Sequence, residues 1–496
     1  MLFHSIIFLF GFLPLTWGVF RLLAAVHRER AAMGWIVLMS LVFYGYWNPA
    51  YLLLIIGSIG VNYSIGSRIG PADGVGSAAV RRWLLYAGLA FNLGLLGYYK
   101  YANFFIDSFN AVSGLSFNFT HVILPLGISF FTFQKIAYLI DAYSGRTGRY
   151  TLLEYAFFVT FFPQLIAGPI VQHSQIIPQL EDPKTFRFRP IDIGVGLTIF
   201  AIGLFKKMVL ADGSAIYVGP VFDAAVQGHA LSVGAAWGGA LAYTFQLYFD
   251  FSGYSDMAIG LARLFGIKLP INFDAPYRAT SIVEFWRRWH ITLSRFLRNF
   301  LYIPLGGNRH GILIRYRNLL VTMLLGGLWH GAGWTFVLWG GLHGAYLIVN
   351  HAFDAILPRR LASSLSGSSL ARLAGWALTF LAVVVAWVFF RARDLSSASH
   401  LLATMFGGSS GASPVTLDSP WLWLAAVGVV AFAFPSTHDY LSRFTPVLDP
   451  PPERSRYMGI AWQPTFFHGL AIGLLVFLIF RKYFVLQPTE FLYFNF

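Results

Sequence analysis

The stretch LLVTMLLGGLWHGAGWTFVLWGGLHGAYLIVN, Leu319–Asn350, decides the fold. It carries seven glycines (326, 327, 331, 333, 340, 341 and 344), and Trp329-His330-Gly331 sits near its middle. Arg315 and Arg317 flank it on one side, Arg359 and Arg360 on the other. Lys and Arg collect on one side of a membrane. The run is therefore expected to enter and return on that side, as a hairpin with His330 deep in the membrane near the bend. An ionisable side chain at that depth is costly and usually functional. The structural alternative is a neutral imidazole that bridges two helices by hydrogen bonds.

The rest of the chain has the same character. Of its 496 residues, 57% are hydrophobic, 18% aromatic and only 11% charged, and the mean hydropathy is +0.62. A soluble domain carries roughly 25% charged residues, so lipid is the solvent that fits this surface. The apolar runs are continuous rather than alternating, which favours helices over a barrel. They recur from residues 3–24 to residues 466–486, and several are shorter than the ~20 residues of a straight crossing. The expectation is an all-α polytopic integral membrane protein, one membrane domain of about ten to thirteen transmembrane or re-entrant helices. The first segment, from Phe3, lacks a basic leader and a small-residue cleavage site and reads as a retained span. A net charge of +14 reflects cytoplasmic loops rather than nucleic-acid binding. The absence of cysteine excludes thiolate metal sites and a Cys-acyl intermediate.

Immediately before the glycine-rich run, residues 277–318 contain eight arginines (278, 287, 288, 295, 298, 309, 315 and 317) against one acid, Glu284. Ser281 and Glu284 have capping-box spacing, and the pattern predicts one amphipathic helix from there to Tyr302, stopped by Pro304 and Gly306-Gly307. Phe285, Trp289, Leu293, Phe296 and Phe300 share one face; Arg287, Arg288, Arg295 and Arg298 lie opposite, with His290 at the border. Such a helix lies at the interface rather than crossing. Its arginines suit lipid headgroups or the phosphates of a donor. Further upstream, Asp250, Tyr254 and Asp256 interrupt an apolar segment, with Asp250 and Tyr254 on one face if the helix continues through Gly253. They are suited to orienting a histidine, conducting a proton or closing a structural network. Neither region has the ligand set of a structural zinc site, and no phosphate-binding G-x-x-x-x-G-K-[ST] loop occurs.

Together these strings resemble the membrane-bound O-acyltransferase family, and within it the bacterial branch that contains the membrane subunit of alginate O-acetyltransferase. The likeness rests on QLYFDFSGYSDMAIG (246–260), FWRRWHITLSRFLRNFLYIPLGGN (285–308) and YRNLLVTMLLGGLWHGAGWTFVLWGGLHG (316–344), with weaker matches at GYYKYANFF, LPLGISFFTFQ and FFPQLIAGPI. The resemblance implies a ring of helices around a thinned centre, with His330 as the family's membrane histidine and His290 as its second polar position. It implies acyl transfer from a thioester such as acetyl-CoA, with no permanently bound cofactor. Periplasmic acetyltransferase subunits are then the expected partners, and through them a polysaccharide acceptor. A histidine base and an oxyanion donor are what such a transfer needs.

The last six residues, Phe491 to Phe496, fit an aromatic belt beyond Arg481 and Lys482. They also resemble the aromatic-Tyr-Phe ending of this branch and of a small carrier peptide in the related alanylation system, which implies Tyr493 as an acyl carrier. Peptidoglycan, cellulose and teichoic-acid modification share these motifs; a secondary transporter and a secretion scaffold are readings of another class. The resemblance implies a bacterial inner membrane; the loop charges then put the N terminus in the periplasm, and the aromatic tail is expected there too.

Overall fold

A computed structural model describes residues 1–70, 77–117, 122–358, 367–408, 419–449, 460–485 and 489–492. Tyr493, the Arg359–Arg360 pair and the proline run Pro450–Pro452 lie outside the described residues. Among the described residues the chain is helical, without strands. Six helices are long and apolar enough to cross a membrane: Ile7–Ala25, Tyr51–Ile69, Pro190–Ala215, Ile312–His330, Ser369–Arg391 and Phe466–Val485. The helix Trp421–Ala433 is apolar but only 13 residues long, about 20 Å at 1.5 Å per residue, and needs neighbours to shield its ends.

The axis of the bundle is Val233–Leu264, 32 residues capped by Ser232, whose hydroxyl accepts from Ala235 N at 3.1 Å. It runs unbroken through Gly253, and nearly every residue from Ala235 to Leu264 is buried. Burial all round explains why it can carry Asp250 and Asp256 without presenting them to lipid. Its closest partner is Pro190–Ala215. A Cβ on Gly203 would stand 2.6 Å from the Gly253 carbonyl oxygen, and one on Gly260 2.6 Å from that of Gly196. Small residues spaced seven apart on both helices thus let the backbones touch, the packing mode of helices in lipid.

The glycine-rich run forms the expected hairpin. Ile312–His330 turns at residues 331–333 and returns as Trp334–Ile356. The two pack antiparallel, Gly344 against Leu320 and Gly340 against the Met323 carbonyl. The turn therefore leaves His330 at the very end of its helix.

The basic segment is corrected in one respect. In place of one helix there are two short ones, Ile282–Arg288 and Ile291–Leu297, followed by a π-helical turn Arg298–Tyr302. They are separated by extended Trp289 and by His290 in the left-handed region at φ +42°. The capping box is also shifted. Ser281 Oγ accepts from Glu284 N at 3.1 Å, but the Glu284 carboxylate reaches back to Thr280 N at 2.8 Å. Phe285, Trp289, Leu293 and Phe296 are buried as the pattern requires.

Candidate active site

His290 owes its place to the break. Its non-glycine left-handed backbone is a strained conformation, the kind retained where the surroundings over-determine it, and Asn272 supplies the constraint. The Asn272 carbonyl oxygen accepts from Ile291 N at 2.9 Å. Its side-chain oxygen lies 3.0 Å from His290 Nδ1 and accepts from the Thr292 hydroxyl at 2.9 Å, while its amide donates to Ser255 Oγ at 3.2 Å. With an amide oxygen as partner, Nδ1 carries the proton in neutral His290, and Nε2 is left as the basic nitrogen.

His330 approaches from the hairpin bend, its ring 6.3 Å from that of His290. Trp329, Trp339 and Phe390 wall it at 4.9, 5.0 and 5.2 Å. The carbonyls at the end of its helix lack intrahelical donors, as at any C terminus, and residues 97–101 provide them. Tyr101 Oη donates to Leu328 O at 3.0 Å, and Lys100 Nζ donates to Trp329 O and, at 3.5 Å, to His330 O. Lys100 also donates to Ser129 Oγ at 3.3 Å. It sits in a π-helical turn, Gly97–Tyr101, as do Lys206 and Lys207 in Lys206–Ala211; such turns recur at functional sites.

Two cavities lie along the helix Ile312–His330, one at its His330 end and the other from Arg315 to Met323. The first, about 510 Å³, is lined by His330, Lys100, Ser129, Trp47, Met1 and Glu490. The second, about 580 Å³, is lined by Arg287, Arg298, Arg309, Arg315, Tyr302 and His351. Arg315 and His330 stand on the same helix, about 22 Å apart along its axis. Of the four helix arginines expected at a donor site, Arg287 and Arg298 face this cavity. Arg288 instead pairs with Glu284 at 2.6 Å and lies 3.6 Å from Asp274. Half-burial raises the Glu284 carboxyl, but the Thr280 N–H and Arg288 outweigh it and hold the group below its usual value. Arg295 pairs with Asp449 at 3.3 Å and borders a smaller cavity with Phe133 and Phe296.

The two aspartates are committed to lysines rather than to a histidine. Asp256 pairs with Lys206 at 2.6 Å and accepts from Thr437 at 2.6 Å. Asp250 pairs with Lys207 at 2.8 Å and accepts from Leu492 N at 3.0 Å. Tyr254 stacks between Phe3 and Phe491, at 4.8 and 4.4 Å. Asp274, His438 and Asp439 gather their ligand atoms within 4.8 Å, and Arg288 lies 3.6 Å from Asp274. Sequence reasoning passed over Asn272, Lys100 and His343. A lysine inside the apolar run at 97–105 was the available signal for Lys100. His343 is buried, and its Nδ1 accepts from Trp286 Nε1 at 3.3 Å; since an indole only donates, this histidine is a structural acceptor.

An all-helical membrane bundle with two buried histidines side by side fits a membrane O-acyltransferase, and the chain belongs to the membrane-bound O-acyltransferase family. The model of that family matches residues 144–364, which include both histidines. The chain is 46% identical to the peptidoglycan O-acetyltransferase of Helicobacter pylori, over 82% of this chain and 80% of that one. It is 45% identical to the probable alginate O-acetylase AlgI of Pseudomonas aeruginosa, over 82% and 75%. It is also 30% identical to the teichoic acid D-alanyltransferase of Streptococcus thermophilus, over 46% and 57%.

Proposed function

We propose that this enzyme takes an acetyl group from acetyl-CoA at the arginine-lined cavity and passes it across a bacterial inner membrane for O-acetylation of an extracytoplasmic polysaccharide. The observation that carries this reading is the placement of His330. It faces a cavity at one end of a helix whose other end, at Arg315, borders a second cavity rich in guanidinium groups. Guanidinium forks match phosphates, so Arg287, Arg298, Arg309 and Arg315 hold the donor's phosphates. Its flexible arm then carries the thioester toward the histidines.

In the transfer step His330 takes the proton from the acceptor hydroxyl as that oxygen attacks the thioester carbonyl. A carbon–oxygen bond forms, the carbon–sulfur bond breaks, and the thiol leaves protonated. The tryptophan walls exclude water that would otherwise hydrolyse the thioester. His290, held as a neutral acceptor by Asn272, orients the reacting groups. We assign the acceptor hydroxyl to Tyr493. A phenol with an ordinary pKa near ~10 is a better leaving group than an alcohol, so its ester retains enough transfer potential to acylate a sugar through periplasmic partner subunits. The N terminus and the cavity containing Glu490 then face the periplasm, and Arg309 and Arg315 the cytoplasm.

The polymer is either an exopolysaccharide of the alginate type or peptidoglycan, since relatives named for each match this chain at nearly equal identity. Base-labile acetate measured on the purified polymers of a strain lacking the chain identifies which one. Restoring the strain with Tyr493→Phe tests the carrier. Loss of polymer acetate at normal protein level is expected, whereas full acetylation would remove Tyr493 from the pathway.

A further inference from the structure

Thr489–Leu492 is fastened to the bundle by a buried charge cluster that the transfer chemistry does not use. Lys207 Nζ lies 2.7 Å from Asp212 and 2.8 Å from Asp250. Lys207 and Asp250 are each 1% exposed and Asp212 is 8% exposed. Two carboxylates against one ammonium leave a net negative charge and spare acceptor capacity in apolar surroundings, an arrangement that is costly unless further donors complete it. The chain's own end completes it. The Thr489 hydroxyl donates to Asp212 at 2.6 Å and accepts from Lys207 at 2.9 Å. Lys207 also donates to the Glu490 carbonyl at 3.3 Å, and Leu492 N donates to Asp250 at 3.0 Å.

Packing continues the fastening toward the histidines. Phe491 is buried and stacks on Tyr254 with ring centroids 4.4 Å apart. It also lies 5.9 Å from Phe251. Phe251 in turn stands edge-on to His290 at 4.7 Å. Glu490 lines the same cavity as His330. By contrast, the preceding helix Phe466–Val485 buries a single residue, Ile479. The tail's seat is thus this cluster and the Phe491 slot rather than the helix that leads to it.

We infer that Lys207, Asp212 and Asp250 form a docking site for the chain's own segment Thr489–Leu492, positioning residues that deliver the chain end to the histidine cavity. The purpose of the docking rests on the Tyr493 reading; the docking itself does not. The full-length chain in lipid nanodiscs provides the test, because it has no native cysteine and Phe491→Cys places a thiol in the slot while the hydrogen bonds to Thr489, Glu490 and Leu492 still hold the segment. In that chain the introduced thiol is shielded from a water-soluble maleimide. Adding Asp250→Asn is expected to raise the labelling rate at least tenfold, since a hydrogen bond to a charged group is being replaced by one to a neutral group. Thr489→Val removes one hydroxyl at the edge of the cluster, leaves the bundle intact, and is expected to act in the same direction. In the otherwise unaltered chain both substitutions should lower kcat for transfer without changing the KM for acetyl-CoA. Equal labelling in all three backgrounds would overturn the docking site. Tyr493→Phe separates the two ideas: it should leave the introduced thiol shielded while abolishing transfer. Retained transfer with a shielded thiol rejects the carrier and leaves the docking site standing.

Discussion

At His290 the local rules of helix formation are broken in a way that has a physical cause. A histidine at φ +42° costs of order 1–3 kcal/mol, and the three bonds that Asn272 makes to Ile291, His290 and Thr292 offset it. Replacing Asn272 by Leu removes the side-chain acceptor from two buried groups, at about 1–3 kcal/mol each, and frees the imidazole to adopt the other tautomer. Asn272→Leu is expected to lower transfer at least tenfold, and Asn272→Asp, which keeps the acceptor, to lower it less; equal losses would show that the asparagine does no more than pack. His330 stood out because an ionisable group in an apolar run is rare, whereas His290, set among arginines, was singled out by the resemblance alone. Asn272 was not legible, because an asparagine in NFDAPYR has no period or spacing that marks it, and its role appears only when residues 18 apart meet. Asp250 and Asp256 were legible as important, but their lysine partners lie some 43 to 50 positions away in the chain and no local pattern links them.

Among the elements, the arginine segment and the glycine-packed pair behave differently from their sequence patterns in instructive ways. Periodicity located the apolar face of residues 281–302 but not the break at Trp289-His290, because a helix pattern with one left-handed residue has nearly the same spacing of apolar positions. The arginines part ways on both sides of the break. Arg287 and Arg298 face the large cavity, whereas Arg288 is held by Glu284. Arg287→Gln combined with Arg298→Gln is therefore expected to weaken acetyl-CoA binding at least tenfold in detergent, while Arg288→Gln lowers thermal stability with donor affinity unchanged. Isothermal titration on the two variants distinguishes these outcomes, and equal affinities would assign Arg287 and Arg298 to lipid. The contact between Val233–Leu264 and Pro190–Ala215 is equally specific. A Cβ on Gly203 would meet the Gly253 carbonyl at 2.6 Å, so Gly203→Ala must separate two backbones. The expected loss is about 1–3 kcal/mol, seen as a lower unfolding temperature and a displaced Lys206–Asp256 pair; unchanged stability would mean that the helices are not held by this contact.

For the molecule as a whole, one cavity stands at the His330 end of a membrane helix and another along it from Arg315 to Met323, and the proposed transfer requires the two to communicate. Composition established the solvent, and the hairpin flanked by arginines placed His330 at a bend. The cavities themselves could not be read from sequence, since they are made by residues as distant as Met1, Lys100, His330 and Glu490. The central claim is that His330 is the base for acetyl transfer from a thioester on one side to a hydroxyl on the other. The direct measurement supplies purified chain in nanodiscs with acetyl-CoA labelled in the acetyl group and follows label bound covalently to the protein. Wild-type chain is predicted to acquire base-labile label at Tyr493. His330→Ala, at equal expression and membrane insertion, is predicted to acquire it at least ~10²-fold more slowly, the usual effect of removing a general base. Labelling of His330→Ala at half the wild-type rate or more would contradict the account.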